Sequence, residues 1–298
     1  MKVADAHCDT LTKFPENPFF DEKAHWNIPN FQKVNGILQY FALFTPPALN
    51  GDAALSFVFS AIGDFNRKNE NHVVHLKSPS DFDENKINIL LSIEGASPII
   101  NDINNLYAFY ALGVRAMGLT WNHRNFLADG IDTDYGLTPF GFEIVKEMEK
   151  LKMIIDLSHI NIAGFNDVLK TVNCPVICSH SNSRVILDHK RNLYDDQIQE
   201  IIKRNGFIGM NFYTEFLSGD INTSKVALYK HIEKLLNLGA ENVLGMGADF
   251  DGIDSSPFPN VLSYEEIAEN LFSEMGLSND LVEKIMYKNL VDFTLNNI

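Results

Sequence analysis

The sequence predicts an α/β fold in which the chain forms a closed (β/α)8 (TIM) barrel. Eight short apolar runs recur along its 298 residues, amphipathic segments separate them, and no Pro/Gly/Ser-rich linker divides the chain. The composition, 45% hydrophobic and 21% charged, supplies a core and excludes a disordered or low-complexity chain. Because an α/β barrel routinely uses this much chain, residues 1–298 are predicted to form one domain.

The apolar runs are rich in Ile, Val, Leu, Met and Phe and are bounded by Gly, Asn or Pro, which is typical of buried strands. Alternation with helices implies a parallel sheet covered by those helices. Eight such repeats favour a closed barrel over an open doubly wound sheet. The predicted strands are Val3–Cys8, Gly36–Phe44, Ile87–Ile93, Val114–Trp121, Met153–Ser158, Pro175–Ser179, Phe207–Phe212 and Val243–Ala248.

Apolar residues at helical spacing predict the helices between these strands. One helix begins after Thr138, a good N-cap, and the last opens with the capping box Ser263-x-x-Glu266. Phe14–Phe31 shows no clear period, and Asn71–Glu84 is predicted to be a loop or an insertion. The other predicted helices are Ala54–Arg67, Asp195–Arg204, Ser224–Leu238 and Ser263–Met275.

The charge balance limits the partners. Lys and Arg number 24 and Asp and Glu 39, which leaves a net charge of −15 that repels nucleic acid and anionic membranes. No apolar run approaches the roughly 18–20 residues of a membrane helix. Asp5 lies where a signal peptide would be apolar, so no targeting segment is expected. Three cysteines without a CxxC motif favour a reducing cytoplasm.

Side chains that bind metals follow the predicted strands at the end where barrel active sites form. His7 and Asp9 are two residues apart on a strand and therefore face the same side. Glu94 directly follows an apolar run, where a carboxylate is costly unless it is hydrogen-bonded or bound to a cation. His159 and His180 each close an apolar strand. Three histidines with Asp and Glu suit Zn²⁺, and Mn²⁺ or Fe²⁺ would also be compatible.

The neighbours of these candidates allow two interpretations. Asp5 shares a strand face with His7 and either orients that histidine or is a buried carboxylate satisfied by backbone groups. Cys8 points to the opposite face and is expected to be structural. No P-loop and no GxSxG occurs, and Gly245-x-Gly247 lacks the third glycine of a dinucleotide-binding loop.

In this order the motifs resemble the membrane (renal) dipeptidase family, peptidase family M19, and its bacterial cytoplasmic members in particular. The resemblance runs from residue 3 to about residue 295 and implies an amidohydrolase-like, metal-dependent barrel with two zinc ions. The motifs are His7-x-Asp9, Ser92-Ile93-Glu94-Gly95, Leu119-Thr120-Trp121-Asn122, Ile155-Asp156-Leu157-Ser158-His159, Ser179-His180-Ser181-Asn182, Lys190-Arg191-Asn192 and Gly247-Ala248-Asp249-Phe250-Asp251-Gly252.

The resemblance also implies the metal ligands. His7 and Asp9 match ligands of the first zinc, and His159 and His180 match ligands of the second. Glu94 matches the carboxylate that bridges the two ions, together with a water or hydroxide.

Residues around the metals match substrate-handling positions of the family. Arg191 matches the arginine that receives the free carboxylate of the substrate, and Asp249 matches the carboxylate that handles the catalytic proton. Asn211 and Tyr213, from the Asn-Phe-Tyr segment, match residues that border the substrate.

One position departs from the mammalian pattern. Trp121 stands where the mammalian enzyme has a histidine that stabilises the tetrahedral intermediate, while bacterial members carry a similar Leu-Thr-Trp-Asn segment. His123, two residues further on, is the candidate replacement for that group. Trp121 itself is expected to border the substrate.

The expected function is therefore that of a zinc dipeptidase, in which a metal-bridging hydroxide attacks the peptide bond of a dipeptide. An N-acyl amino acid deacylase or a lactonase using the same two metals is the enzymatic alternative. A barrel that keeps its metals as a binding or scaffold protein is the non-enzymatic one. The expected partner is a small dipeptide, and the family also implies a homodimer.

Overall fold

Eight parallel strands close into a barrel in the computed structural model, which describes residues 1–298. A ninth strand, β3, has two residues and pairs with β4 outside the ring. The strands are β1 (Val3–Cys8), β2 (Gly36–Phe44), β3 (Val74–His75), β4 (Asn88–Glu94), β5 (Val114–Gly118), β6 (Ile154–Asp156), β7 (Ile177–Cys178), β8 (Phe207–Met210) and β9 (Leu244–Met246).

The ring follows chain order once β3 is set aside. β2 pairs directly with β4, from Leu38 opposite Asn88 to Phe44 opposite Glu94. β9 returns to β1 where Met246 pairs with Asp5. The predicted (β/α)8 barrel is thus confirmed, and all eight strands point their carboxyl ends to the same mouth.

Helices pack around the outside of the barrel and at its mouths. Short 3₁₀ turns cover Pro79–Asp81 and Ser97–Ile99, and a π-helical turn covers Lys284–Lys288. The helices are α1 (Thr10–Lys13), α2 (Ile28–Lys33), α3 (Gly51–Asn69), α4 (Ile103–Ala111), α5 (Pro139–Leu151), α6 (Ile162–Thr171), α7 (Asp195–Lys203), α8 (Thr214–Leu217), α9 (Ile221–Asn237), α10 (Ser263–Ser273), α11 (Asn279–Glu283) and α12 (Asn289–Asn297).

The predicted bounds hold for β1 and β2, β4 is shifted by one residue to Asn88–Glu94, and the strands from β5 onward are shorter than their apolar runs. The run Val114–Trp121, for example, leaves the sheet after Gly118 and continues into a rim loop. The segment Asn71–Glu84, predicted to be a loop or an insertion, contains the short strand β3, which lies outside the ring of eight. Thr138 does cap α5, accepting a hydrogen bond from the Gly141 N–H at 3.0 Å.

The predicted capping box at Ser263 is wrong. Leu262 already has helical backbone angles, and it lacks a side-chain cap. The Leu262 N–H instead donates to the Asn260 side chain at 3.0 Å. Glu266 turns outward and pairs with Lys225 of α9. The helical backbone therefore already includes Leu262, the residue before Ser263, and the Ser-x-x-Glu spacing has no capping role.

The C-terminal helix closes the amino-terminal mouth of the barrel. Leu290 and Phe293 of α12 belong to a buried cluster that includes Ala4, Leu38 and Phe207 from strand interiors. The rings of Phe207 and Phe293 lie 6.0 Å apart. Because α12 fills the amino-terminal mouth, the polar carboxyl ends of the strands form the other mouth. No helix combines the length and the hydropathy that a membrane crossing would require.

Candidate metal centre

Glu94, the last residue of β4, lies at the centre of the carboxyl-terminal mouth. One of its carboxylate oxygens, Oε2, is 3.3 Å from Nε2 of His7. The other, Oε1, is 2.9 Å from Nε2 of His159 and 3.8 Å from Nε2 of His180. All four side chains are buried. A single carboxylate thus faces two separate sets of donor atoms.

The first set lies at the end of β1. The side chains of His7 and Asp9 turn to the same side of the chain, and Nε2 of His7 is 3.5 Å from Oδ2 of Asp9. Oδ1 of Asp249 lies 3.8 Å from the same nitrogen. Nε2 of His7 and Oδ1 of Asp9 are buried without a hydrogen-bond partner. Buried polar atoms without partners are rare, which suggests a ligand at this position.

The second set joins the ends of β6 and β7. Nε2 of His159 and Nε2 of His180 face each other at 2.9 Å. The other ring nitrogen of His159, Nδ1, lies 2.9 Å from Oδ1 of Asn122. An amide oxygen can only accept, so this contact places the His159 proton on Nδ1 and leaves Nε2 free to bind a cation.

The donor atoms fit a divalent cation in each set. Two ligands at the zinc distance of about 2.0–2.1 Å, at a tetrahedral angle, lie about 3.3 Å apart. The separations among the donor atoms of the five predicted ligands run from 2.9 to 3.8 Å. The donors are imidazole nitrogens and carboxylate oxygens, the combination that suits zinc and related transition metals.

Electrostatics explain why these groups need a cation. Burial raises the pKa of Asp9, and the nearby charge of Glu94 raises it further. Burial also raises the pKa of Asp249. Burial alone would lower the pKa of His7, but Glu94 and Asp9 hold it well above its ordinary value. Three carboxylates that share a buried space repel one another unless positive charge lies among them.

The histidines of the second set are favoured in their neutral form. Burial, followed by the charge of Arg191, lowers the pKa of His159 to about 4. Burial and the charge of His7 hold the pKa of His180 well below its ordinary value. A neutral imidazole is the form that binds a metal ion, so both rings are ready as ligands at neutral pH.

Asp249 reaches the centre because the chain turns sharply after β9. Its φ of 66° is left-handed, as is that of Asp251. Asn211 donates to Oδ2 of Asp249 at 2.9 Å, which leaves Oδ1 on the side of His7. Position 252, which follows Asp251, requires glycine because a Cβ there would overlap the carboxylate of Asp9.

An open cavity of about 400 Å³ lies over this centre. Its metal-competent residues are Asp9, Glu94, His159 and Asp249, and its volume is within the usual range for small-molecule sites. Four aromatic rings form much of the remaining wall. They belong to Phe44, Trp121, Tyr213 and Phe216.

Arg191 lies behind the centre as a buried cation. Its Nη2 donates to the backbone carbonyl of His180 at 3.2 Å, while Nε and Nη1 have no partner. The side chain also borders a neighbouring cavity of about 560 Å³, with Lys190 and Arg184. Two unpartnered N–H groups on a guanidinium are suited to a carboxylate, which they can bind in a bidentate manner.

Two other predicted residues lie outside the cavity wall. Asn211 is fully buried, and its amide contacts Asp249 and the backbone of Tyr213. His123 is 59% exposed, and its Nδ1 pairs with Asp132 at 2.9 Å. Its ring packs against Trp121, with centroids 5.3 Å apart, and borders a separate cavity of about 530 Å³. The structure therefore places Trp121, and not His123, next to the metal-binding side chains.

Two acidic residues near the centre stabilise the fold. Asp5 accepts hydrogen bonds from the backbone N–H groups of His7 and Ala248, at 2.8 Å each, and from the hydroxyl of Tyr264. It thus contacts the backbone of His7 and not its ring, as the second of the two interpretations proposed. Asp251 accepts from Thr10 at 2.5 Å and holds the first rim loop.

Asp156 was not among the sequence candidates, although it lies among them in the structure. One of its oxygens is within 4.8 Å of ring nitrogens of His7 and His180. However, it already accepts four hydrogen bonds, from the backbone N–H groups and hydroxyls of Ser158 and Ser179. A carboxylate that already accepts four hydrogen bonds is a poor metal ligand. A charged residue inside the apolar run Ile154–Leu157 was the signal that could have identified it.

Comparison with known proteins agrees with this geometry. The profile described as membrane dipeptidase (peptidase family M19) matches residues 1–294. The chain belongs to that family. The resemblance seen in the motifs is thereby confirmed over nearly the whole chain.

Two curated relatives are similar to this chain over part of its length. An uncharacterised protein of Klebsiella pneumoniae is 32% identical over 66% of this chain and 77% of its own length. An uncharacterised dipeptidase of Schizosaccharomyces pombe is 35% identical over 71% of this chain and 53% of its own. This chain thus matches about half the length of the yeast relative.

Solved structures of family members share the fold. A Rhodobacter sphaeroides metallopeptidase, liganded with a phosphinate mimic of the dipeptide L-Ala-D-Ala, has a TM-score of 0.93 at 24% identity, covering 100% of this chain and 99% of that one. Dipeptidase AC, a family M19 metallopeptidase, has a TM-score of 0.92 at 24% identity, covering 100% and 98%. The membership and the fold together identify the chain as a family M19 metallopeptidase barrel.

Proposed function

We propose that the protein is a dipeptidase that binds two zinc ions, one in each donor set. The observation that carries this proposal is the position of Glu94, whose two oxygens face the two sets separately. A carboxylate in that position can bridge two cations, which one imidazole cannot do. The phosphinate dipeptide mimic bound by the Rhodobacter relative supports a dipeptide as the substrate class.

When bound, two such ions would act as Lewis acids and lower the pKa of a water molecule between them. The residues of the chain supply positioning and proton transfer. Asn211 occupies Oδ2 of Asp249, so Oδ1 is the oxygen that takes the proton as water attacks the peptide carbonyl. Asp249 then returns this proton to the leaving amine as the C–N bond breaks. The raised pKa of Asp249, due to burial, favours this exchange.

Arg191 is proposed to bind the substrate carboxylate. Its free Nε and Nη1 supply two charged donors in a buried site, and they distinguish a free carboxylate from the amide of a longer peptide. Trp121 and Tyr213 form aromatic walls that bracket the substrate, and Asn211 acts through Asp249 and the Tyr213 backbone. The role proposed for His123 on the developing negative charge would require its ring to leave Asp132.

The surroundings of the cysteines agree with a cytoplasmic protein. Cys8 and Cys178 are buried, Cys174 is partly buried, and all three are unpaired. The absence of disulfides in a chain of this size fits a reducing compartment. The homodimer that the family implies remains a prediction, which size-exclusion chromatography with light scattering would test.

The activity is tested on protein purified without added metal. Elemental analysis is expected to find zinc, at two ions per chain, and a panel of L,L- and L,D-dipeptides is expected to be hydrolysed. N-acetyl amino acids and lactones are assayed beside them, because a deacylase or lactonase would use the same metals. Turnover confined to those compounds would replace the dipeptidase proposal. Bound zinc with no turnover of any substrate would favour a binding protein.

A further inference from the structure

We propose that Asp156 and Ser179 form a relay that fixes the tautomer of His180, so that its Nε2 is presented to the metal without a proton. The inference rests on the proposed function in one respect, namely that the second donor set binds a cation. Its test reads the histidine ring directly and does not depend on the substrate. Asp156 and Ser179 are thus positioning residues for the centre.

The hydrogen bonds of Asp156 establish the first step. Oδ1 accepts from the Ser158 N–H at 3.1 Å, the Ser158 hydroxyl at 2.7 Å and the Ser179 N–H at 3.1 Å. Oδ2 lies 2.5 Å from Oγ of Ser179. Asp156 is buried, so no bulk water competes for these contacts. Three donors already converge on the first oxygen, so this carboxylate is the acceptor of the network, and the Ser179 hydroxyl donates to its second oxygen.

The single proton of that hydroxyl decides the next step. Once Ser179 has donated to Asp156, its Oγ has only lone pairs left for other partners. Nδ1 of His180 lies 2.8 Å from this oxygen and must therefore carry the ring proton. A neutral imidazole has one proton, which leaves Nε2 bare and facing Glu94 and His159.

The opposite arrangement is disfavoured. If Nδ1 of His180 were the acceptor, Ser179 would donate to it, and the lone pairs of Ser179 would face Asp156 at 2.5 Å. That contact would set oxygen lone pairs of the two groups against each other. The same Oγ is 3.4 Å from Nδ1 of His7, so it also favours a proton on that nitrogen. One hydroxyl therefore orients a ring in each donor set.

The backbone places the relay. Asp156 pairs in register with Ile177, and Ser179 follows two residues later along the neighbouring strand. Carboxylate–histidine partners beyond the ligands raise the basicity of the ring and fix its orientation, and their loss usually weakens metal affinity or activity by about 10- to 100-fold. Here the carboxylate acts through a serine, which makes that serine the residue to test.

The first measurement is the ring tautomer of His180 in metal-free His159→Ala protein, because the bare Nε2 of His159, 2.9 Å away, would otherwise compete for the same proton. Histidine is labelled with ¹⁵N, and long-range ¹H–¹⁵N spectra at pH 8 distinguish the two nitrogens, with His180→Gln assigning the signal. With Ser179 present, His180 is expected to show the proton on Nδ1. Adding Ser179→Ala is expected to give a mixture or the other tautomer. A proton on Nε2 with Ser179 present would overturn the proposal, as would a tautomer that Ser179→Ala leaves unchanged.

The second measurement is Zn²⁺ affinity, determined by competition with a chelator. Ser179→Ala is expected to bind zinc about 10- to 100-fold more weakly, and Ser179→Thr, which keeps the hydroxyl, is expected to restore both the tautomer and the affinity. Ser224→Ala is the matched control, since this buried serine hydroxyl lies on α9 and contacts Ser218 and the Asp220 carbonyl, away from the centre. A loss in Ser224→Ala equal to that in Ser179→Ala would mean a general packing defect and would refute the relay.

Neither measurement uses a substrate, so the two proposals can fail separately. If the protein hydrolyses no dipeptide but shows the expected tautomer and zinc response, the relay stands and the dipeptidase proposal falls. If dipeptides are hydrolysed while Ser179→Ala keeps the tautomer, the relay falls alone. Circular dichroism spectra that match those of wild type establish that each variant is folded.

Discussion

Glu94 is the residue on which the two donor sets depend. Glu94→Gln keeps the shape of the side chain but removes the charge and turns one acceptor oxygen into an NH₂ donor. That donor would face either His7 or the pair His159 and His180. We expect bound metal to fall by at least half, measured by elemental analysis after purification without chelator.

The control for Glu94→Gln is Glu147→Gln. Glu147 lies on α5, where its partly buried carboxylate accepts from Lys150 at 2.7 Å and from the Tyr107 hydroxyl. The substitution removes one negative charge there and touches neither donor set. Metal content in Glu147→Gln should equal that of wild type. Wild-type metal content in Glu94→Gln would refute the bridging role.

Arg191 gives a second prediction at this scale, which concerns the substrate. Arg191→Met should weaken kcat/KM for dipeptides by about 10- to 150-fold, because hydrogen bonds to a charged group contribute about 1.5–3 kcal/mol. The kcat/KM of Arg191→Met for a dipeptide with an amidated C-terminus should fall much less. Steady-state kinetics on the matched acid and amide measure this difference.

Metal content and a surface arginine provide the controls for Arg191→Met. Arg67→Met changes an exposed arginine of α3 that pairs with Asp64, at 2.5 Å, and should leave the preference for the acid intact. Parallel loss of metal and activity in Arg191→Met would show that the residue supports the centre and does not bind the substrate carboxylate.

The candidate ligands could be predicted from the sequence because each directly follows an apolar run. Position alone indicates His7, Glu94 and His180, since strand ends meet at one mouth. Asp156 and Asn122 could not be predicted in the same way. Their importance lies in a hydrogen bond to a residue from a different strand or loop, and such pairings depend on register and loop path, which periodicity does not specify.

At the scale of elements, Gly247, the residue after β9, leaves room for the chain that follows β7 and carries His180. A Cβ on Gly247 would overlap the carbonyl oxygen of Ser179, the residue before His180. Gly247→Ala should therefore destabilise the protein by about 1–3 kcal/mol, as overpacking does. It should also weaken zinc binding, because the backbone that carries His180 must move.

Chemical denaturation and chelator competition measure these two effects. The matched control is Gly63→Ala in α3, where an added Cβ meets nothing within 4 Å. That change should be neutral or stabilise the helix by up to about 1 kcal/mol. An equal response of the two variants would mean that Gly247 is not a packing constraint on β7.

His231 of α9 holds the loop that follows His180. Its Nδ1 accepts from the Ser183 N–H at 3.1 Å, and its Nε2 donates to the Leu217 carbonyl at 3.0 Å. Protonation of Nδ1 would break the first of these bonds. Burial lowers the pKa of His231 to about 4, below the ordinary value of about 6.5.

The lowered pKa of His231 predicts a pH dependence of the free energy of unfolding. Between pH 6.5 and 4 the unfolded chain binds this proton and the folded chain does not. The contribution is fully present above pH 6.5 and is lost as the pH falls toward 4, by about 3 kcal/mol in all. Urea unfolding at pH 8 and pH 5 should show a smaller loss for His231→Gln than for wild type.

His72→Gln is the control for this pH effect, because His72 is exposed. It should lose as much stability as wild type between the two pH values. If the free energy of unfolding of His231→Gln falls between pH 8 and pH 5 as much as that of wild type, His231 does not contribute to the acid sensitivity. The variant itself should be less stable than wild type at pH 8, since Ser183 loses its acceptor.

Element counts were easier to predict than element bounds. Eight strands follow from eight apolar runs, yet the run Val114–Trp121 contributes only five residues to the sheet. Apolar character continues past the sheet because rim residues such as Leu119 are also buried. The capping box at Ser263 is wrong for a related reason. Local spacing matched a motif, but Asn260 supplies a cap from outside it.

At the scale of the whole molecule, metal binding and folding are linked through charge. The net charge of −15 includes Asp9, Glu94 and Asp249, whose carboxylates are buried together at one mouth. A cation that binds only the folded chain stabilises it, by about 2.7 kcal/mol when free metal is 100-fold above its Kd. Chelation should therefore lower the Tm, and Zn²⁺ should restore it.

Asp9→Asn tests this linkage because its effect should reverse sign with metal. In the metal-free protein the substitution removes repulsion with Glu94 and should raise the Tm. In the zinc-loaded protein it removes a ligand and should lower the Tm. Asp64→Asn, at a surface pair with Arg67, should change neither value by much. Calorimetry of all three proteins with and without zinc measures the reversal. If Asp9→Asn lowers the Tm with and without zinc, the Asp9 carboxylate stabilises the fold by its contacts in both states. The acidic mouth would then be stable without a cation.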